Sequence, residues 1–103
     1  MFERVCETDD VWEGELISFD VASRKIILIN VDEQFRAYDS QCPHQEQSLC
    51  DGKLEGSVLT CPAHLWEFDV MSGQGVNPTG CKLRGYALKI ENDDVYVDVE
   101  QPI

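Results

Sequence analysis

The sequence lacks long apolar runs and has few cationic side chains. None of its apolar stretches approaches the roughly eighteen residues of a membrane-spanning helix, and its start, MFERVCETDDVWEGE, is acidic rather than basic as a targeting signal would be. Eight Lys and Arg stand against 20 Asp and Glu, which gives a formal net charge of -12. Nucleic acid and anionic membranes both need cationic surface, so the composition argues against both as partners. We therefore expect a cytoplasmic protein whose acidic surface either meets a basic protein partner or serves solubility alone.

Cysteine is present but in an odd number. The five cysteines follow no secretory signal, so a full disulfide framework is not expected and metal binding is favoured. Three of them, Cys6, Cys50 and Cys81, have no potential ligand at close spacing. We predict that these three are reduced, packed thiols.

Short runs with alternating apolar and polar residues recur along the chain and predict strands. They cover residues 15–21, 25–31, 35–40, 57–61, 66–70, 86–90 and 94–100. Groups rich in small, polar or Gly residues separate them and predict turns, at residues 22–24, 32–34, 51–52, 72–75 and 92–94. No long amphipathic helix is visible. Only ETDDVWEG (7–14) suggests a helical turn, capped by Thr8 or Asp9.

Residues 41–80 differ in composition from the sequence around them. They hold three of the four prolines, both histidines and five of the seven glycines, so irregular loops are concentrated there. At 103 residues the chain is one small domain. We predict a β base formed by residues 1–40 and 81–103, with residues 41–80 as a subdomain that carries the chemistry.

Two Cys-His pairs lie within this subdomain, Cys42-x-His44 and Cys61-x₂-His64, sixteen residues apart. A structural zinc site usually takes its ligands as Cys pairs and His pairs, whereas here each pair is mixed. A binuclear iron cluster with two Cys on one iron and two His on the other is served by two loops that each give one Cys and one His. The pattern favours such a cluster and leaves a zinc-stapled interaction module as the alternative.

This pattern resembles the Rieske [2Fe–2S] family, and the order of strands and loops is similar over nearly the whole chain. The resemblance implies an all-β fold, with an antiparallel β-sandwich base and a loop-rich cluster-binding subdomain. It also implies that Cys42 and Cys61 bind the inner iron, and that His44 and His64 bind the outer iron near the surface.

The prolines fit the same resemblance. Family members shield the cluster with a third loop that contains a proline, and GVNPTG with Pro78 stands in its place. Pro43 and Pro62 each follow a predicted cysteine ligand directly. Since proline fixes φ and donates no hydrogen bond, these residues stiffen the loops and leave later amides free to point at sulfur.

The resemblance also bears on the redox potential. High-potential members carry an additional disulfide and two hydroxyl donors near the cluster. The matching positions here are Gln47 and Ala63, and Trp66 and Phe68. Without those donors, and with a charge of -12, the oxidised cluster is favoured, so we predict a potential low in the family range of roughly −150 to +300 mV.

Several loop sequences resemble one group of low-potential carriers. CPHQEQSL, CPAHLWEFD and GVNPTGC are most similar to the ferredoxin component of the toluene, benzene and alkene di-iron monooxygenases, which serve aromatic hydrocarbon and alkene catabolism. This implies a monomeric electron carrier, not itself an enzyme, between a flavin-dependent NADH oxidoreductase and a di-iron hydroxylase. The alternatives are the ferredoxin of a ring-hydroxylating dioxygenase and the small subunit of assimilatory nitrite reductase.

The sequence also predicts a docking face around the cluster. Imidazole edges of His44 and His64 would pass electrons to a partner, and Trp66 is either a contact on this face or a core aromatic below it. We expect an acidic rim that orients docking to basic partners, formed by Glu46, Asp51, Glu55 and Glu67.

Overall fold

The computed structural model describes residues 1–40, 52–61, 66–77 and 82–103. Within these ranges the chain is strand after strand, and its regular helical element is a single 3₁₀ turn at Thr8–Asp10. The strands are β1 (Glu3–Glu7), β2 (Leu16–Val21), β3 (Arg24–Val31), β4 (Gln34–Asp39), β5 (Lys53–Glu55), β6 (Val58–Thr60), β7 (Glu67–Asp69), β8 (Gly75–Asn77), β9 (Gly85–Glu91) and β10 (Asp94–Pro102).

The strands form two sheets in which each ladder is antiparallel. The larger sheet has the order β1-β10-β9-β4-β3-β2, and the smaller has the order β5-β6-β7-β8. One buried cluster draws side chains from both outer strands of the larger sheet, Cys6 of β1 and Val21 of β2, together with Ile26 and Val97 between them. Neighbouring strands lie about 4.8 Å apart, so a flat sheet would hold its two edges far from each other. The sheet must therefore curl around this core, and the prediction of an all-β antiparallel fold is confirmed.

The position of strand β3 between two buried clusters explains its unusually apolar sequence, KIILINV. Ile26 and Leu28 belong to the core inside the curled sheet. Ile27, Ile29 and Val31 lie on the other face, in a second cluster with Leu59 and Phe68 of the smaller sheet. Successive side chains of a strand point to opposite faces, so a strand covered on both faces is apolar throughout. This second cluster fixes the smaller sheet on the outside of the larger one.

Three hairpins of the larger sheet turn through two residues with positive φ. These pairs are Ala22-Ser23, Asp32-Glu33 and Asn92-Asp93, with φ between 50° and 68°. Positive φ at both central residues defines the type I′ turn, whose twist matches that of the flanking strands. The turns predicted at these three positions are confirmed.

The sequence-based predictions missed two local features. The chain reverses between β5 and β6 at Gly56 and Ser57, since Glu55 pairs with Val58, where no turn was predicted; the turn predicted at Asp51-Gly52 includes Asp51, which lies outside the described residues, and stays a prediction. The helical turn near residue 10 is present, but its N-cap is Glu7 and not Thr8 or Asp9. The Asp10 carboxylate accepts a hydrogen bond from the Glu7 N–H at 3.0 Å, and the cap lies one residue before Thr8, the nearer of the two predicted positions.

The domain division predicted from the sequence stays a prediction. The larger sheet uses residues up to Asp39 and from Gly85 onward, and the smaller sheet uses residues 53–77. Among the described residues, no helix has the length and apolar character that crossing a membrane requires.

Candidate metal centre

The segments that carry the predicted ligands meet at one end of the smaller sheet, where its four strands begin or finish. We call this end the metal-binding edge. Lys53 pairs with Thr60, Thr60 with Glu67, and Glu67 with Asn77, so these four residues form a row across the sheet. Three segments join the described chain close to this row: the one that ends at residue 51, the one at 62–65, and the one that begins at residue 78. They contain Cys42 and His44, then His64, and then Pro78. The strand register therefore attaches all three predicted loops along a single edge.

Cys61 is the predicted ligand that the structure describes. It directly follows β6 and is fully buried, beside Leu59, Phe68 and Val70 in the apolar cluster between the sheets. Its backbone N–H donates to the Trp66 carbonyl at 2.7 Å, which extends the β6–β7 pairing by one step. The segment 62–65 therefore begins and ends at two residues, Cys61 and Trp66, that are hydrogen-bonded to each other. The Cys61 thiol is not in a disulfide, and its sulfur remains available to a metal.

Trp66 and Glu67 stand where the same loop returns to the sheet. Trp66 is half-buried and packs against the apolar cluster between the sheets, which agrees with a core aromatic below the predicted site. Glu67 is half-buried in the row of paired residues. Glu55 lies at the opposite end of β5 from this row, exposed, with its carboxylate 2.7 Å from the Lys53 ammonium. The hydrogen bond from Lys53 lowers the pKa of Glu55, so this charge is already partnered within the chain.

The hairpin loop between β7 and β8 is held by the larger sheet. The Tyr38 hydroxyl donates to the buried Val70 carbonyl, and Arg36 Nε donates to the Met71 carbonyl at 3.2 Å. The Leu83 N–H donates to the Gly73 carbonyl at 2.7 Å. A Cβ at Gly73, where φ is +80°, would lie 3.3 Å from the Tyr38 ring, so glycine fits this close approach. Sequence reasoning missed these supports because nothing in the local pattern distinguishes Tyr38 from an ordinary strand residue.

The other predicted site residues lie outside the described part of the chain. This applies to the ligands Cys42, His44 and His64, and to Pro43, Glu46, Pro62 and Pro78. Their roles stay predictions. The start of the first loop is nonetheless fixed, because Ser40, two residues before Cys42, is buried and its N–H donates to the Lys25 carbonyl at 3.1 Å.

Of the cysteines outside the motif, only Cys6 is described. It is free and buried within the core of the larger sheet, as predicted. Burial raises the pKa of its thiol to about 11, and the nearby Asp10 carboxylate adds to the shift. Cys50 and Cys81 lie outside the described residues.

Comparison with known proteins decides between the alternatives left open by the Cys-His pattern. Residues 1–87 match the Rieske [2Fe–2S] domain family. The chain belongs to this family. The zinc-stapled module is thus not retained, and the prediction of a Rieske-type [2Fe–2S] electron carrier without catalytic activity of its own is confirmed.

Relatives within the Rieske family include carriers of both oxygenase classes. The alkene monooxygenase ferredoxin component of Xanthobacter autotrophicus is 44% identical over 93% of this chain and 80% of that protein. The biphenyl dioxygenase ferredoxin subunit of a Pseudomonas strain is 37% identical over 94% of this chain and 91% of that protein. A chain of the solved complex of reduced oxygenase and oxidised ferredoxin in carbazole 1,9a-dioxygenase superposes with a TM-score of 0.88, at 28% identity, over 99% of this chain and 96% of that chain.

The described residues fit a Rieske cluster. Cys61 offers a buried sulfur in an apolar surrounding, which limits the access of water to a metal centre. The motif predicts two Cys and two His as ligands, which is the combination that a Rieske cluster requires. When bound, the cluster supplies a one-electron redox centre. The protein's part is to attach the predicted ligand loops along one edge of the smaller sheet and to exclude water around Cys61.

Proposed function

We propose that this chain is the low-potential ferredoxin of a multicomponent monooxygenase, and that it carries single electrons from a flavin-containing NADH oxidoreductase to a di-iron hydroxylase. The main support is the 44% identity to the alkene monooxygenase ferredoxin component, which extends over 93% of this chain. The shared edge of the smaller sheet, to which all three predicted loops attach, agrees with a compact centre at the surface.

The proposed ligands are Cys42 and Cys61 on the inner iron and His44 and His64 on the outer iron. A ring nitrogen of each histidine that does not bind iron would face the partner and provide a short path for the electron. Pro43, Pro62 and Pro78 would shape the three loops, and Trp66, at the end of the second loop, would support it from below. Incorporation of one atom of O₂ into a substrate, with reduction of the other to water, consumes two electrons. A one-electron carrier must therefore dock at its hydroxylase twice per turnover.

A carrier for a ring-hydroxylating dioxygenase is the second candidate. It is supported by the biphenyl dioxygenase ferredoxin subunit at 37% identity, and carbazole 1,9a-dioxygenase shows a ferredoxin in complex with its oxygenase. The monooxygenase is preferred because the identity to its ferredoxin is higher and the first loop reads CPHQ and not CTHG.

Electron paramagnetic resonance of the anaerobically prepared protein after dithionite reduction tests the cofactor and its potential. We expect a rhombic signal with an average g value below that of the free electron, and a midpoint in the lower part of the roughly −150 to +300 mV Rieske range. Cys61→Ser should lose this signal, whereas Cys6→Ser should keep it. A colourless, silent protein with stoichiometric zinc would refute the proposal.

Reconstitution distinguishes the two oxygenase classes. The reductase and the oxygenase that exchange electrons with this protein are purified from its source cells and combined with it under NADH and O₂. Product with one oxygen atom from ¹⁸O₂ supports the monooxygenase, and a cis-diol with both oxygen atoms supports the dioxygenase. Metal analysis of the oxygenase then shows whether it has a di-iron centre.

A further inference from the structure

A cavity of about 270 Å³ lies at the end of the larger sheet remote from the predicted cluster. It is lined by Thr8, Asp9, Asn30, Glu33, Phe35 and Ile90. Asn30 pairs with Phe35 beside the turn between β3 and β4, whereas the opposite end of β4 leads through Ser40 to Cys42. At about 3.4 Å per strand residue, Phe35 and Ser40 are about 17 Å apart. The cavity is therefore separate from the edge that holds the ligand loops.

A tryptophan is fixed at the surface next to this cavity. Trp12 is 71% exposed, yet its indole Nε1 donates to the Asp9 carbonyl at 2.7 Å. Its backbone N–H donates to the Glu15 carboxylate at 2.8 Å. The ring is thus oriented before any partner arrives, so burying it in a contact costs little side-chain entropy. Exposed, ordered tryptophans of this kind are typical of the residues that carry binding energy in protein interfaces.

Asn30 supplies an unused acceptor. It is only 6% exposed, and its Nδ2 donates to the Val11 carbonyl at 2.9 Å, which fixes the orientation of the amide. Its Oδ1 is buried and has no hydrogen-bond partner in the described part of the chain. A buried polar atom in this state calls for a donor from outside the fold, either water or a ligand.

The charged residues that line the cavity are both acidic. Asp9 and Glu33 line it, and no Lys or Arg among the described residues lies within 4 Å of either carboxylate. The cations on neighbouring strands are engaged elsewhere: Arg4 with Asp94, Lys89 with Glu91, and Arg36 with the Met71 carbonyl. The nearby turns add more carboxylates, at Asp10, Glu13, Glu15 and Asp32.

We propose that this cavity, with the adjacent Trp12 ring, receives an arginine side chain of a protein partner. The planar guanidinium has five donors, enough for the Asp9 and Glu33 carboxylates and Asn30 Oδ1 together. Phe35 and Ile90 offer apolar surface to the methylene stem, and the Trp12 face can stack on a guanidinium. A lysine has a single compact ammonium and cannot satisfy the spread of acceptors as well. The inference rests on the proposed function only in that a carrier has protein partners, and a partner held here leaves the cluster edge free.

Nuclear magnetic resonance titration of the purified protein tests the site with a defined probe. Acetyl-Gly-Arg-Gly-amide is added, with the matched Lys and Gln peptides as controls. Broadening by a paramagnetic cluster falls steeply with distance, so the Trp12 indole, the Asn30 side-chain amide and the Gly14 amide should remain visible. We expect shifts confined to these signals and an affinity for the Arg peptide about tenfold above that for the Gln peptide.

The variants Asp9→Asn and Glu33→Gln should each weaken Arg-peptide binding by about threefold to tenfold. Asp20→Asn removes one exposed carboxylate from β2, outside this cavity, and should leave the affinity unchanged. Equal binding of the Lys and Arg peptides would mean that the cavity accepts any cation, and it would overturn the proposal. Shifts spread over the acidic surface, equal losses with Asp20→Asn, or no shift at all would also overturn it, the last by indicating that water alone fills the cavity. None of these readouts depends on cluster content or potential, so the result is independent of the proposed electron-transfer role.

Discussion

The hydroxyl of Tyr38 connects the larger sheet to the β7–β8 loop of the smaller sheet. It donates to the carbonyl of the fully buried Val70. Tyr38→Phe removes the hydrogen bond that this buried carbonyl accepts among the described residues, so we expect the free energy of unfolding to fall by about 1–2 kcal/mol. Urea denaturation followed by circular dichroism measures the change.

Tyr96→Phe provides the matched control for this substitution. It removes the same atom from a half-buried ring whose hydroxyl makes no hydrogen bond among the described residues, so its effect should be within about 0.5 kcal/mol. Equal losses from the two variants would mean that the bond between Tyr38 and Val70 contributes nothing specific.

The Cys6 thiol should react slowly with alkylating reagents because its pKa is raised to about 11 by burial. Only the thiolate is nucleophilic. Its alkylation rate in the folded protein should therefore rise about tenfold per pH unit between pH 8 and 10, whereas an exposed thiol levels off above its usual pKa of about 8.5. Iodoacetamide labelling, quantified on the Cys6 peptide by mass spectrometry, checks this. A plateau below pH 10 would contradict the assigned pKa.

The sequence predicts the chemistry of the candidate site, whereas it does not predict the contacts that hold the two sheets together. The spacing of Cys61 and His64 has chemical meaning on its own, because a metal requires particular donors at particular separations. The hydrogen bonds from Tyr38 and Arg36 to the β7–β8 loop connect residues more than thirty positions apart. No local pattern encodes such a contact, since it depends on how two sheets pack.

The type I′ turns are the elements that set the strand register of the larger sheet. Ala22 and Ser23 both adopt positive φ, a region that glycine and asparagine tolerate and other residues enter at a cost. Replacement by Asn-Gly (Ala22→Asn with Ser23→Gly) should raise the free energy of unfolding by about 1–2 kcal/mol. Urea denaturation gives the change directly.

The turn between β9 and β10 provides the comparison for this prediction. Asn92 already favours its conformation there, so Asp93→Gly alone should stabilise the protein by less, about 0.5–1 kcal/mol. If the Asn-Gly turn at 22–23 destabilised the protein, the side chains of Ala22 or Ser23 would have to make contacts that outweigh the relief of backbone strain.

Strands were predictable where their side chains alternate or are apolar throughout, as in β2, β3 and β10. Three strands escaped prediction: β1, β5 and β8. The last two have only three residues each, too few for a period of two to be recognised. They form because they are outer strands of a sheet whose inner strands are anchored by Leu59 and Phe68, and this is a tertiary cause.

At the scale of the whole molecule, a net charge of -12 is the property that every partner meets first. Opposite charge on a partner raises the encounter rate roughly 10- to 1000-fold at low salt, and this advantage shrinks as the Debye length falls to about 10 Å at 0.1 M. We therefore expect the second-order rate constant for reduction of the oxygenase to fall steeply between about 20 and 300 mM NaCl. Stopped-flow absorbance of the reoxidising carrier measures it.

The proposed rim at the metal-binding edge makes this prediction more specific. Glu46→Gln with Glu67→Gln should flatten the salt dependence and lower the rate at low salt, because both charges are expected to face the partner. Glu3→Gln with Asp20→Asn removes the same net charge from exposed positions on β1 and β2. If charge acts only through the molecule's total, the two double variants will behave alike and the rim will have no special role. If the rim orients docking, the first variant will flatten the salt dependence more than the second, and the acidic composition will have a local role beyond solubility.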